Sequence, residues 1–308
     1  MAEWQRHALA NRLQTLLLVG LLLAIAAAAG WLWLGESGLW LALSASTLAL
    51  LIEPAAASRL TLALYRAQPL APNEAPALTR IMAELAQRAG LPQVPRLYRV
   101  ASPLANAFAV GSRAQAHIVL TDGLLHGLSL RELAGVLAHE TAHIVHGDLR
   151  VMGLADYLSR LTSLFALSAQ LMLLVFLPAW AMGRLELPWP GLLWLLFSPQ
   201  IALLAQLGLS RVREFDADLT AVRLTGDPAG LASALARIER ASRSWRAWLM
   251  PGWGNPEPSW LRTHPATGER IARLQALQET QASWAAEPWS WPHPPAGAPR
   301  WRLGGIWR

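Results

Sequence analysis

Hydrophobic positions are distributed in two distinct ways along this chain. Leu13 to Leu34 is an almost unbroken apolar run, long enough as a helix to cover the roughly 30 Å of a bilayer's hydrocarbon. Gly35-Glu36-Ser37-Gly38 then predicts a tight turn. Leu39 to Ile52 is a second apolar run, short unless it continues past Glu53-Pro54 into Ala55–Ala57. Two later stretches, Leu161 to Met182 and Trp189 to Leu209, are each long enough to span and are joined by residues 183–188. Pro199, Gln200 and Gln206 make the last stretch polar for a lipid-facing helix, which predicts a kink or a face turned toward protein. The pattern predicts two hairpins, about four transmembrane helices in all. Arg6 and Arg12 ahead of the first run, with small residues at Ala26 to Gly30, would also suit a cleaved leader. The run exceeds the usual roughly 7–15 residues of a leader core, and a second run follows at once, so a retained anchor is expected.

Elsewhere the apolar positions become periodic. Leu78, Ile81, Met82 and Leu85 recur at helical spacing within residues 73–89, with Asn73 as N-cap and Gly90 as stop. Pro95 to Val100, Asn106 to Val110 and Ala116 to Thr121 are short runs broken by Ser-Pro and Gly-Ser-Arg, predicting a small sheet or meander. Ser129-Leu130-Arg131-Glu132 has the spacing of a capping box and opens a helix expected to reach about His146. Residues 210–225 read as helical up to Gly226-Asp227-Pro228. Further helices are expected over about Ala229 to Arg246 and Pro265 to Glu279. The division expected is an N-terminal transmembrane hairpin (1–57), a first polar part (58–160), a second hairpin (161–209), a second polar part (210–280) and a Trp/Pro/Arg-rich tail (281–308).

Composition narrows the classes. With 308 residues, 54% apolar and 15% charged, and no Cys, the chain is neither disordered, nor collagen-like, nor a disulfide scaffold. The formal charge of +6 comes from 26 basic residues, all Arg, against 20 acidic ones. The Arg residues are scattered beside hydrophobic blocks and form no aromatic-interleaved basic module, so no nucleic-acid partner is expected. Arg6 and Arg12 precede the first hairpin, Arg59 and Arg66 follow it, and Arg211 and Arg213 follow the second. By the positive-inside rule, both termini and both polar parts face the cytoplasm, as expected of a multi-pass protein of the cell's inner membrane. Without Cys, any metal site must be built from His and carboxylates.

His139-Glu140-Thr141-Ala142-His143 falls on the capped helix. Residues i and i+4 project from one helix face, so both imidazoles can reach one ion, with Glu140 beside them to polarise a metal-bound water. A catalytic zinc needs a third protein ligand. Glu214, in Arg211-Val212-Arg213-Glu214-Phe215-Asp216-Ala217-Asp218, is preferred, with Asp216 or Asp218 as alternatives. If Glu214 is the ligand, Asp218 lies on the same face and can accept the outer N–H of a liganding His. His146 suits a supporting or helix-end role. His7, His117, His126 and His293 have no partner at ligand spacing.

Four motifs in order, Asn106 to Gly111 (NAFAVG), His139 to Asp148 (HETAHIVHGD), Ser210 to Asp218 (SRVREFDAD) and Thr263-His264-Pro265 with Glu269-Arg270-Ile271, together with the apolar hairpins, resemble the HtpX-type membrane zinc metalloproteases, relatives of the CAAX prenyl proteases. The resemblance covers roughly residues 1–275. It implies a mostly α integral membrane protein with a cytoplasmic α+β zincin-like domain, one Zn2+ per chain on His139, His143 and Glu214, and Glu140 as general base. It further implies cleavage of misfolded or damaged membrane proteins, Asn106 on an edge strand to which substrate adds, and His264 as a substrate or oxyanion contact. The alternatives are a prenyl-protein processing protease, against which the small number of spans counts, and a catalytically silent membrane adaptor binding unfolded segments. The sequence leaves oligomeric state open. Trp245, Trp248, Trp253 and Trp260 around a Pro/Gly loop, and five more Trp in the tail, suit either a bilayer-facing region near the cleft or plain packing and a flexible end.

Overall fold

The computed structural model describes residues 3–51, 54–184, 188–242 and 267–280. In chain order the elements are α1 (Glu3–Leu34), α2 (Glu36–Leu51), α3 (Pro54–Leu64), β1 (Gln68–Pro69), α4 (Pro76–Arg88), β2 (Arg96–Val100), β3 (Ala107–Ser112), β4 (Gln115–Thr121), α5 (Asp122–Gly127), α6 (Leu130–His146), α7 (Asp148–Ala181), α8 (Trp189–Thr225), α9 (Pro228–Ser242) and α10 (Thr267–Thr280). The chain divides into two compact units, residues 1–53 with 150–213 and residues 54–149 with 214–308.

The first unit is helical. Gly35, at φ 64°, turns α1 into α2. The two helices cross where Gly30 meets Gly38: a Cβ added at Gly30 would come 2.5 Å from the Gly38 carbonyl oxygen. Only glycine permits backbones to approach so closely, the small-residue packing usual between helices in lipid. Leu22, Ile25, Ala26, Ala29 and Ala42 are buried, while Leu16, Leu17, Leu174, Val175 and Leu204 are exposed. That is the outward-facing apolar surface of a protein solvated by lipid.

Among the described residues, three helices have the length and composition to cross a membrane, Leu13–Leu34 within α1, α7 and α8. The expected second span is shorter: α2 has 16 residues, about 24 Å of helix, and a new helix begins at Pro54. The four expected crossings therefore become three long helices and one short one. The fourth run and the helix expected over residues 210–225 form one continuous element. No stop signal separates Leu209 from Ser210, and α8 continues for 37 residues, through Pro199, until Gly226 at φ 66° ends it.

The second unit is α+β. Its sheet has the order β1-β2-β4-β3, with β2 parallel to β4 and the other pairs antiparallel. Of the two expected arrangements, this is the small sheet and not the meander. β3 and β4 close through a two-residue turn between Ser112 and Gln115, and Gly111 at φ 105° accommodates it. The Thr121 hydroxyl at the end of β4 accepts from the Asn106 N–H at 2.8 Å and lies 2.5 Å from the Leu104 carbonyl oxygen. That clamp carries the chain from β2 past β4, so β3 becomes an edge strand.

Alternation along the strands gives the sheet two buried faces. Val100, Phe108, Val110 and Val119 pack with Leu62 and Tyr65 from the α3 region. Ala109, Ile118 and Leu120 join Leu78, Ile81, Met82 and Leu85 of α4 and Leu133 and Leu137 of α6 in the main core. The N-cap of α4 is Ala75 rather than Asn73, with Pro76 starting the helix, where its missing N–H costs nothing. The capping box of α6 forms as expected between Ser129 and Glu132. Glu132 also accepts from the Ser233 hydroxyl at 2.6 Å and pairs with Arg237 at 2.9 Å, tying α6 to α9. Gly135 lets those helices touch, since a Cβ there would lie 3.0 Å from the Leu231 Cα. Gly147, left-handed at φ 69°, ends α6 and turns the chain into α7.

Candidate metal centre

α6 is buried along most of its length, and its fixed 3.6-residue period brings His139 and His143 to the same place. Their Nε2 atoms lie 3.0 Å apart. Glu214 of α8 meets both: its Oε2 is 3.4 Å from His139 Nε2 and its Oε1 is 3.6 Å from His143 Nε2. One potential ligand atom from each residue lies within 4.8 Å of the others. Two neutral imidazoles and a carboxylate, with bonds of about 2.0–2.2 Å each, are a donor set that suits one divalent cation. Glu140, next along the helix, is buried at 7% exposure.

The outer nitrogens of the two rings are also engaged. His139 Nδ1 is 3.0 Å from Asp218 Oδ1, and His143 Nδ1 is 2.6 Å from Asp148 Oδ2. A carboxylate on Nδ1 holds the proton there and leaves Nε2 as the lone-pair donor, the arrangement a metal-binding histidine requires. Burial and the Arg270 charge depress the basicity of His139, but its contacts with Asp218 and Glu214 outweigh them and its pKa is pushed up to about 9. The pocket therefore favours positive charge where the imidazoles meet.

Arg270 of α10 completes the pocket. Its Nη1 is 2.7 Å from Glu214 Oε2, while Nη2 and Nε meet Asp218 Oδ1 and Oδ2 at 2.6 and 2.7 Å. The side chain is 5% exposed, and the carboxylates hold the guanidinium firmly charged against the opposing effect of burial.

Of the residues singled out in the sequence, the structure brings His139, Glu140, His143, Glu214 and Asp218 into one region. Asp216 is not part of the cluster, and Asp218 meets the outer nitrogen of His139 rather than the Nε2 pair. Asn106 stands immediately before edge strand β3, and its Nδ2 is buried with no hydrogen-bond partner among the described residues. His146 Nε2 lies 3.2 Å from the Thr220 hydroxyl. His264, the Trp-containing loop and the tail lie outside the described residues. Sequence reading assigned no role to Asp148 or Arg270. Both stand inside the motifs HETAHIVHGD and Glu269-Arg270-Ile271, which were the signal, but only the fold brings Arg270 to His139, 131 residues away.

The family model for peptidase family M48 matches residues 72–278, which include the whole cluster. The chain belongs to peptidase family M48. A "Protease HtpX homolog" of Acaryochloris marina is 38% identical over 286 residues, covering 87% of this chain and 95% of that protein. One from Ralstonia pickettii is 34% identical over 285 residues, covering 88% and 98%. A crystal structure of S. mikatae Ste24p aligns with a TM-score of 0.47 at 20% identity, covering 87% of this chain and 66% of that one. The M48 assignment rests on the sequence matches, and the resemblance to HtpX-type proteases holds. With its long apolar helices, the protein is a membrane metallopeptidase of the M48 family that acts on peptides or proteins.

Proposed function

We propose that the protein is a zinc-dependent endopeptidase of the cell's inner membrane, with its active site facing the cytoplasm, that cleaves misfolded or damaged membrane proteins. The observation that carries the reading is the convergence of His139, His143 and Glu214 beside Glu140. These three residues would hold one zinc ion, which when bound supplies a Lewis acid that acidifies water and polarises a carbonyl. Glu140 takes the proton of the attacking water on its carboxylate and passes it to the leaving amine. Asp218 and Asp148 keep both rings in the Nδ1–H tautomer throughout.

Substrate adds to the edge of β3 that no strand among the described residues occupies, where main-chain hydrogen bonds read backbone rather than side chains. Asn106 Nδ2, without a partner among the described residues, supports this placement, because a buried amide gains most from a ligand that pairs it. His264 serves as a further substrate or oxyanion contact. Residues 58–160 and 210–280 together form the catalytic domain. Backbone recognition suits unfolded membrane proteins, and the Arg residues flanking the hairpins support the cytoplasmic orientation.

Cleavage of casein by the detergent-purified protein tests this reading. Activity should disappear with a chelator and return with one zinc per chain. Cleavage that persists in the fully chelated protein would overturn it.

A further inference from the structure

Glu214 and Asp218 are one helical turn apart on α8, and both are buried, at 4% exposure each. Two carboxylates so placed repel each other and lose hydration, a costly arrangement without a counter-charge. The counter-charge comes from α10. Arg270, itself 4% exposed, places a two-nitrogen fork on Asp218 and its remaining nitrogen on Glu214 Oε2. α10 is seated for this purpose: Leu274 is 1% exposed in the main core, and Arg273 stacks 3.6 Å from the ring centroid of Phe215, the residue after Glu214.

We propose that Arg270 is a positioning residue for the metal centre, setting two of its three ligands from a helix that supplies none. This rests on the metal-site reading above. Beside Glu214 the guanidinium Nη1 lies 2.7 Å from Oε2 as an ion pair, so its charge holds the carboxylate where it faces both imidazoles. On Asp218 it shares Oδ1 with His139 Nδ1, so the same fork orients the acceptor that orients the ring. Arg suits this task and Lys does not, because one planar group must place a two-nitrogen fork on Asp218 and keep its charge beside Glu214. A residue that merely neutralised buried charge would affect stability and leave coordination unchanged.

Cobalt(II) distinguishes the two roles, since its visible absorption reports coordination number and geometry independently of turnover. Wild type, Arg270→Met, Arg270→Lys, Asp218→Asn and the Arg270→Met/Asp218→Asn pair are titrated with Co2+ in detergent, with helicity checked by circular dichroism. Arg270→Met should bind about 10–100-fold more weakly, with a changed spectrum. Arg270→Lys should fall between it and wild type, and the double variant should lose less than the product of its single losses. Unchanged affinity and spectrum in folded Arg270→Met would overturn the proposal. If that variant does not fold, Arg270→Lys decides: a wild-type spectrum and affinity would overturn it, and an altered spectrum supports it. A wild type that binds no Co2+ would instead overturn the metal-site reading, and this inference with it.

Discussion

Asp148 Oδ2 lies 2.6 Å from His143 Nδ1, so the turn at Gly147 that ends one helix and begins the next also determines which nitrogen of His143 faces Glu214. Asp148 is 2% exposed and has no freedom to leave this contact. Asp148→Asn should keep the helix start, since Asn is tolerated there, while weakening the hold on the ring. Zinc affinity should fall about 10–100-fold with little change in helicity. Affinity equal to wild type by competition with a chromophoric chelator would show that this contact serves the fold alone.

The basicity of His139 predicts a pH dependence of the metal-free protein. Its pKa is raised in the folded state, from 6.5 to about 9, so the bound proton stabilises the fold fully below about pH 6.5. That contribution is lost as pH rises through about 9. Melting temperatures of the chelated protein should therefore decline between those values. Zinc must displace the same proton, so its affinity should climb by up to about tenfold per pH unit over the same interval. A zinc affinity independent of pH in that window would contradict the protonated resting state.

The crossing of α1 and α2 depends on two glycines. Gly30→Val places a side chain against the Gly38 backbone, which cannot yield as a flexible side chain would. A loss of about 1–3 kcal/mol is expected, read as unfolding at lower denaturant in detergent. Gly20→Val is the control, since nothing lies within 4 Å of a Cβ there. Equal destabilisation by both would locate the effect in helix propensity rather than in packing.

The capping box makes a milder prediction. Ser129→Ala removes the acceptor for the Glu132 N–H and should cost about 1 kcal/mol, lowering the melting temperature with zinc affinity unchanged. Glu132→Ala should cost more, because Ser233 and Arg237 also lose their partner. Equal losses would mean that the links to α9 contribute nothing.

Legibility in the sequence followed the range of each interaction. The helix from Leu130 to His146, its cap and the two-histidine face depend on residues within a turn or two of each other, and all were discernible. Glu214 could be selected as an acid on a helix after the apolar run, but only the fold brings it to His139. The sheet order was not readable, because the parallel pairing of β2 with β4 is fixed by Thr121 gripping a loop that local periodicity does not encode. The length of α2 was likewise ambiguous, since Ala55–Ala57 could have extended either neighbour. Arg270 stood in the Glu269-Arg270-Ile271 motif, but its role was unreadable because an ion pair across 52 positions is made only by the fold.

In the proposed function, metal binding and proton transfer belong to different residues of one cluster. Glu140→Gln removes the proposed base and leaves His139, His143 and Glu214 intact. Zinc stoichiometry and casein cleavage should be measured on the same preparations of wild type and variant. One zinc per chain in both, with cleavage reduced about 10²–10⁴-fold in the variant, is the predicted result. Cleavage by zinc-loaded Glu140→Gln at the wild-type rate would contradict it.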